Sequence, residues 1–462
     1  MKRAALFFFV LAVLLLASRL CHLDVLWAEE TLPMAAAGEL LRGGALYRDA
    51  WFDKPPLLAA AYLLCGARAG WPVRVAGAAY ALLVCALVWL FAREVWGRPE
   101  AFWAATLAAF ALIFYLPSAV IPVAADLLMV APHVAAVWLA WKGRAFWGGT
   151  LAGVAFLVNP KGVFVLAACA LWCWRALPAL AAGFLLPNAA AVLWMWRAGA
   201  LADYWEQVWL WGRVYASGTF VAEPLRNGLL RTLAWAGFHA ALVIAAVWAI
   251  CTERKGWRWA AWAALSLVAV AAGWRFFPRY FFQLLPVMAL AAGRGMARSK
   301  AEGRAWLLVL LVAPLVRFGP RYVLLAQGAA WNDTAMDRDS RTAAALIRQA
   351  ARPGDTLFVW GFRPEMYVYT GLPAGTRFLD SQPLTGVPAD RHLTQTFLVA
   401  GNAARAHRAE LARSRPTFVV DGLGPYNPLL APGQFPGLRS WLAQYRPLAS
   451  TAGSVVYLRV SR

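Results

Sequence analysis

The sequence predicts a polytopic α-helical membrane protein with a small α/β domain at its C-terminal end. Three observations point there. Of the 462 residues, 62% are hydrophobic and only 15% charged, where a soluble domain carries roughly a quarter charged. Apolar windows close to a membrane's thickness recur along residues 1–323. Beyond about Tyr322 the pattern changes to short, alternating strand and helix signals. The net charge of +21 comes from Lys and Arg clustered between apolar runs, not spread over one soluble face. That distribution suits lipid headgroups and topology control, and argues against a nucleic-acid partner.

The elements follow in order. Met1-Lys2-Arg3 and the apolar run from Ala4 to Ala17 have the shape of a signal peptide. No A-x-A-like cleavage site follows, and Cys21 lacks the small residues of a lipoprotein site, so an uncleaved first span with a cytoplasmic positive end is expected. A span takes about 20 apolar residues. The windows that meet or approach this are 4–22, 74–92, 101–117, 123–141, 145–159, 161–175, 177–196, 232–251, 259–274, 281–297 and 305–323. This gives about eleven spans, of which the pair at 145–175 is the shortest. With the N-terminus inside, the cytoplasmic loops hold Arg93 and Arg98, Lys142 and Arg144, Arg175, Arg254 to Arg258, and Arg294 to Arg304, as the positive-inside rule asks. An odd count leaves the tail outside, and the expected location is a bacterial inner membrane.

Two outer segments are too polar to be connectors. Residues 23–73 mix carboxylates, Trp and Pro, and predict short interfacial helices. Residues 197–231 carry Asp203, Glu206, Arg213, Glu223, Arg226 and several aromatics. The tail, 324–462, predicts helices at 338–351 and 402–413 and strands at Thr356–Trp360, Thr417–Asp421 and Val455–Val460, a unit of the βαβ kind. It contains no G-x-G-x-x-G or P-loop, so a binding or structural role is expected of it.

Several residues have chemical potential. Glu29 and Glu30 follow the first span directly. Partial burial raises a carboxylate's pKa and makes it a better base, while a nearby cation holds it ionised; the other reading is a pair of solvated loop charges. Lys54 precedes Pro55-Pro56, whose fixed φ angles stiffen the chain. A rigidly presented ammonium neutralises a lipid phosphate, or else simply snorkels. Asp126, near the outer end of the fourth window, is costly at that depth and marks either a functional site or a charge at a helix N-terminus. Arg275 and Arg279, on the expected outer side, run against the positive-inside trend and ask for an anion; a phosphate matches their fork and so do ordinary headgroups. Lys161, in Asn159-Pro160-Lys161, raises the same question. The six cysteines lie in or beside apolar stretches, so no disulfide framework is expected, and Cys169 and Cys173 read as small buried residues before a metal or redox pair. No histidine has paired spacing, so no cofactor or metal is predicted.

The run Glu29-Glu30, then Gly43 to Asp49, then Phe52-Asp53-Lys54-Pro55-Pro56-Leu57 resembles the first outer loop of the GT-C superfamily of polyprenyl-phosphate-sugar transferases. That group includes the protein O-mannosyltransferases and the lipid A aminoarabinose transferases. The resemblance extends in pattern over essentially the whole chain. It implies that Glu29 stands where the catalytic base is, with Glu30 as its partner. The family usually places Asp first, which leaves the assignment between the two glutamates open. It implies further that Lys54 contacts the carrier phosphate and that Asp126 opens its helix as an acidic residue commonly does in the family. Trp274 to Pro286 resembles an aromatic Arg/His-Tyr segment, with Arg279 where His is more usual. Asp49 and Asp53 are secondary candidates, and some relatives hold a divalent metal near this loop, which the spacing here does not support.

The predicted function is an inverting glycosyltransferase. It moves a sugar from a polyprenyl-phosphate carrier to an acceptor hydroxyl at the outer face, with membrane lipids as further partners. The sequence names neither sugar nor acceptor. A polytopic transporter of an anionic or lipid-linked substrate is the alternative, but such proteins place charged sites near mid-membrane on broken helices with repeated halves, and neither feature is seen. A scaffold or sensor that binds a ligand through the tail needs few spans.

Overall fold

The structure, a computed structural model, describes residues 2–217, 219, 221–329, 331, 334–396 and 401–460. Apolar helices run from Lys2 to Ala326, and a four-stranded sheet with flanking helices follows. Helix α1 (Lys2–Leu20) has 19 residues, which at about 1.5 Å per residue matches a hydrocarbon layer of roughly 30 Å. It buries Leu11 and Leu15 and leaves Leu6, Phe9, Val13 and Leu14 exposed, a distribution suited to a lipid-facing surface. The segment expected at the interface forms α2 (Ala28–Leu41) and α3 (Pro56–Leu63).

By length and composition, three helical stretches among the described residues are able to cross a membrane, Lys2–Leu20, Trp71–Val95 and Gly162–Arg197, or five if two bent pairs count. The other windows are shorter or broken. The expected single span over 232–251 is instead two helices, Pro224–Phe238 and Ala240–Thr252, meeting at 94°. At this corner the His239 ring stacks on Trp235 at 4.9 Å, and Trp235 stacks on Phe281 at 5.2 Å. The window 305–323 bends by 40° between Ala301–Val309 and Val312–Ala326, because Pro314 has no N–H to offer the Leu310 carbonyl. The window 281–297 begins as a tighter turn at Pro278–Gln283 before the helix Leu285–Arg298.

The stretch from Gly162 to Arg197 is interrupted by a tighter turn at Trp174–Ala176. Its second half lies parallel to helix Ala145–Val158 with backbones in contact. A Cβ on Gly149 would meet the Leu180 carbonyl at 2.0 Å, and one on Gly153 would meet that of Phe184 at 2.6 Å. This small-x-x-x-small spacing is the way membrane helices approach closely.

The sheet has the order β1-β2-β4-β3, with β1 Leu357–Trp360, β2 Phe418–Asp421, β3 Tyr445–Ser450 and β4 Val455–Arg459. Strands β1 and β2 are parallel, as the βαβ reading expects, and the other two pairs are antiparallel. Strand β3 is absent from the sequence reading because Pro447 and a register shift beside it break its pattern; as an edge strand it tolerates a residue that cannot donate. Trp51 from the first loop and Trp211 join the apolar core beneath this sheet. The Trp51 amide donates to the Arg377 carbonyl at 2.6 Å, Ala374 N to Glu39 Oε1 at 3.1 Å, and Leu26 N to Asp337 Oδ1 at 3.0 Å. The tail therefore sits at the end of the bundle that carries the 23–73 segment.

Candidate active site

The loop between α2 and α3 is built to present Lys54. Tyr47 takes a left-handed conformation at φ 71, its hydroxyl donates to the Lys54 carbonyl at 2.9 Å, and its amide donates to Ala50 O. Buried Gln207 bridges the loop, accepting from Phe52 N at 2.9 Å and donating to Tyr47 O at 2.8 Å. Pro55 and Pro56 then start α3. Lys54 Nζ lies 2.6 Å from Asp53 Oδ2 and 5.8 Å from the centre of the Tyr215 ring. Asp53 Oδ1 is buried without a hydrogen-bond partner among the described residues.

Further residues meet nearby. Arg279 is hydrogen-bonded to Glu29 Oε1, and its Nε lies 3.5 Å from Asp126 Oδ2. Asn159 Nδ2 donates to Asp126 Oδ1 at 3.3 Å. Lys161 Nζ is buried, has no hydrogen-bond partner among the described residues, and sits 3.2 Å from the Tyr280 ring centre. The charges of Lys161, Arg279, Glu29 and Lys54 all act on buried Asp126, which links the two groups of residues electrostatically. The side chains of Glu29 and Arg279 remain 22% and 23% exposed, so this pair is open to an incoming molecule.

The structure separates residues that the sequence put together. Glu30 is fully buried and forked to Arg74, with contacts of 2.7 and 3.0 Å, and it also accepts from Trp27 N and Val123 N. Its oxygens are committed to holding α2 against helix Trp71–Val95, which corrects the expectation that it shares the chemistry. Asp49 pairs with exposed Arg48 and accepts from Ala45 N at 2.8 Å; it closes the loop's turn and does not face the centre. Arg275 is clamped by Asp390 at 2.5 Å and by the carbonyls of Gly273 and Tyr215, so each of its three nitrogens is engaged within the protein. Cys169 and Cys173 are buried thiols.

Sequence reasoning missed Tyr215, Asp380 and Asp390. Tyr280 was within reach, since it adjoins Arg279. The missed acids come from the tail, and nothing local marks an acid that acquires its role from a loop packed against it. Asp380 is fully buried; burial, reinforced by the Asp53 charge, pushes its carboxyl up to about 7. At the other tail contact, His407 Nε2 lies 3.2 Å from Glu206 Oε1 and holds that carboxyl below its usual range.

The fold, a polytopic bundle of apolar helices with a small C-terminal sheet domain, is shared with solved membrane-protein structures. The similarity runs the whole length of the chain to ArnT from Cupriavidus metallidurans bound to undecaprenyl phosphate, at 16% identity and TM-score 0.63, covering 100% of this chain and 98% of that one. An Archaeoglobus fulgidus oligosaccharyltransferase in complex with Zn and sulfate aligns at 14% identity and TM-score 0.52, covering 98% and 73%. No family model matches the sequence, and no curated protein does.

Proposed function

We propose that the protein is an inverting glycosyltransferase that moves a sugar from a polyprenyl-phosphate carrier to an acceptor hydroxyl. One observation carries the reading: within this fold, a half-open carboxylate, Glu29, is joined through Arg279 to Asp126 and linked electrostatically to Lys161 and Lys54. The likeness to a protein bound to undecaprenyl phosphate supports the carrier chemistry.

In this reading Glu29 takes the acceptor proton as the acceptor oxygen attacks the anomeric carbon. The bond from that carbon to the phosphate oxygen breaks, and its electron pair leaves with the phosphate. Arg279, hydrogen-bonded to Glu29, fixes the direction in which its carboxylate points. Lys54 and Lys161 stabilise the charge gathering on the leaving phosphate, and Lys161 is the better placed because its ammonium gives up no carboxylate to do so. Glu30 is structural, and Arg275 positions the segment that carries Arg279. The acceptor is met at the end of the bundle where the tail sits, which we take as the extracytoplasmic side because the positive clusters lie at the other end.

The test is complementation of a strain lacking the protein, read by mass spectrometry of envelope glycans. The native gene restores the missing sugar and Glu29→Gln, present at native level in the membrane, does not. Restoration by Glu29→Gln would remove the proposed base.

A further inference from the structure

Away from the candidate active site, helices Ala240–Thr252 and Ala301–Val309 leave a groove of about 310 Å³ between them. Ile244, Trp248, Trp306 and Leu310 line its length, and Ser299 and Gly303 line one end. Trp248 and Trp306 are 41% and 73% exposed, so the groove opens on the surface of the bundle. The side of Gly303 is open space, since a Cβ there would meet nothing within 4 Å.

The end at Ser299 is basic. The Arg298 guanidinium stands 5.9 Å from the centre of the Trp248 ring, which places it at the groove, and its side chain is 40% exposed. Lys300 is exposed on the other side of Ser299. Arg304 donates to the carbonyls of Met296 and Ser299 at 3.0 and 2.8 Å and so fixes the turn that carries Arg298 and Lys300. Counter-charge is short here. Arg298 lies 3.7 Å from one Glu253 oxygen, which also lies 3.4 Å from Arg294. Segments 252–258 and 294–304 hold two acids, Glu253 and Glu302, and their cations include the exposed Arg254, Lys255, Arg298 and Lys300. An open apolar groove with exposed cations at one mouth matches the two parts of an anionic lipid, hydrocarbon along the groove and phosphate at the basic end.

We propose that this groove holds one acyl chain of an anionic membrane phospholipid, with the headgroup phosphate between Arg298 and Lys300. The inference stands apart from the reading of Glu29 and Lys54. The phospholipid is chosen over the sugar carrier because the positive clusters put this mouth at the end of the bundle opposite the tail. It is chosen over a zwitterionic lipid because each cation near the headgroup favours net negative charge by about fivefold.

The experiment is native mass spectrometry of the full chain in detergent with dioleoylphosphatidylglycerol, dioleoylphosphatidylcholine or undecaprenyl phosphate added. It compares the native protein with Lys300→Ser, Arg298→Ser and Gly303→Leu. Lys300 and Gly303 are exposed, and an unchanged melting temperature without lipid checks that each variant is folded. The native protein is expected to bind phosphatidylglycerol at least about tenfold more tightly than phosphatidylcholine, and each cation variant to lower that preference about fivefold. Gly303→Leu fills the groove and weakens the retention of both phospholipids. Equal native affinity for the two phospholipids overturns the inference, as does a preference unchanged in both cation variants. Native retention by Gly303→Leu overturns it too, because the chain then lies elsewhere. Undecaprenyl phosphate losing as much affinity as phosphatidylglycerol in Gly303→Leu would give the groove to the carrier and overturn the choice of occupant.

Discussion

Glu29 and Glu30 share the first turn of α2, yet one opens toward Arg279 and the other is locked inside against Arg74. The two invite opposite outcomes from the same substitution. Glu29→Gln should lower transfer by about 10²–10⁴-fold, the usual loss of a general base, with an unchanged melting temperature in detergent. Glu30→Gln leaves the buried Arg74 guanidinium uncompensated and should cost about 3–5 kcal/mol of stability, seen as a lowered melting temperature. The motif that contains both residues was legible in the sequence, but the division of labour was not, since it depends on Arg74 and Arg279 from distant segments. Asp380 gives a third prediction. Its carboxyl is raised from 3.8 to about 7 in the folded protein, so the fold binds a proton that the unfolded chain has released. Stability contributed by that proton is present below about pH 4 and lost as pH rises through 7. Asp380→Asn should therefore melt above the native protein at pH 8 and lose this advantage toward pH 4.

Among the elements, periodic apolar windows placed most helices, because lipid-facing and core-facing residues are both apolar and only length is needed. Breaks were harder to read. The corner at His239 has rings stacked across segments, and no local residue announces it; the milder bend before Pro314 was also read as one unbroken span. The parallel contact between Ala145–Val158 and Leu177–Arg197 depends on glycines: a Cβ on Gly183 would sit 1.9 Å from the Phe146 carbonyl. Gly183→Val should force the helices apart and lower the melting temperature in detergent by several degrees or prevent folding. Gly212→Ala, where a Cβ meets nothing within 4 Å, should not.

At the scale of the whole molecule, bundle and tail act as one unit. Trp51 is shared with the apolar core under the sheet. Arg377 of the tail pairs with Asp203 of the 197–231 segment at 3.0 Å, and Arg341 pairs with Asp337, whose other oxygen accepts from Leu26 N. The existence of the tail was legible in the change of pattern, and its docking was not, because the contacts join residues hundreds of positions apart. Trp51→Ala should empty a buried site at about 3–5 kcal/mol and, by loosening the loop that ends in Lys54, weaken lipid-phosphate binding although Trp51 touches no phosphate. The most direct test of the central claim is a structure determined with undecaprenyl phosphate bound. The account predicts the phosphate within about 3.5 Å of the Lys54 or Lys161 ammonium, with Glu29 facing the open side. A phosphate bound elsewhere, with Glu29, Arg279 and Asp126 still joined as they are now, would contradict it.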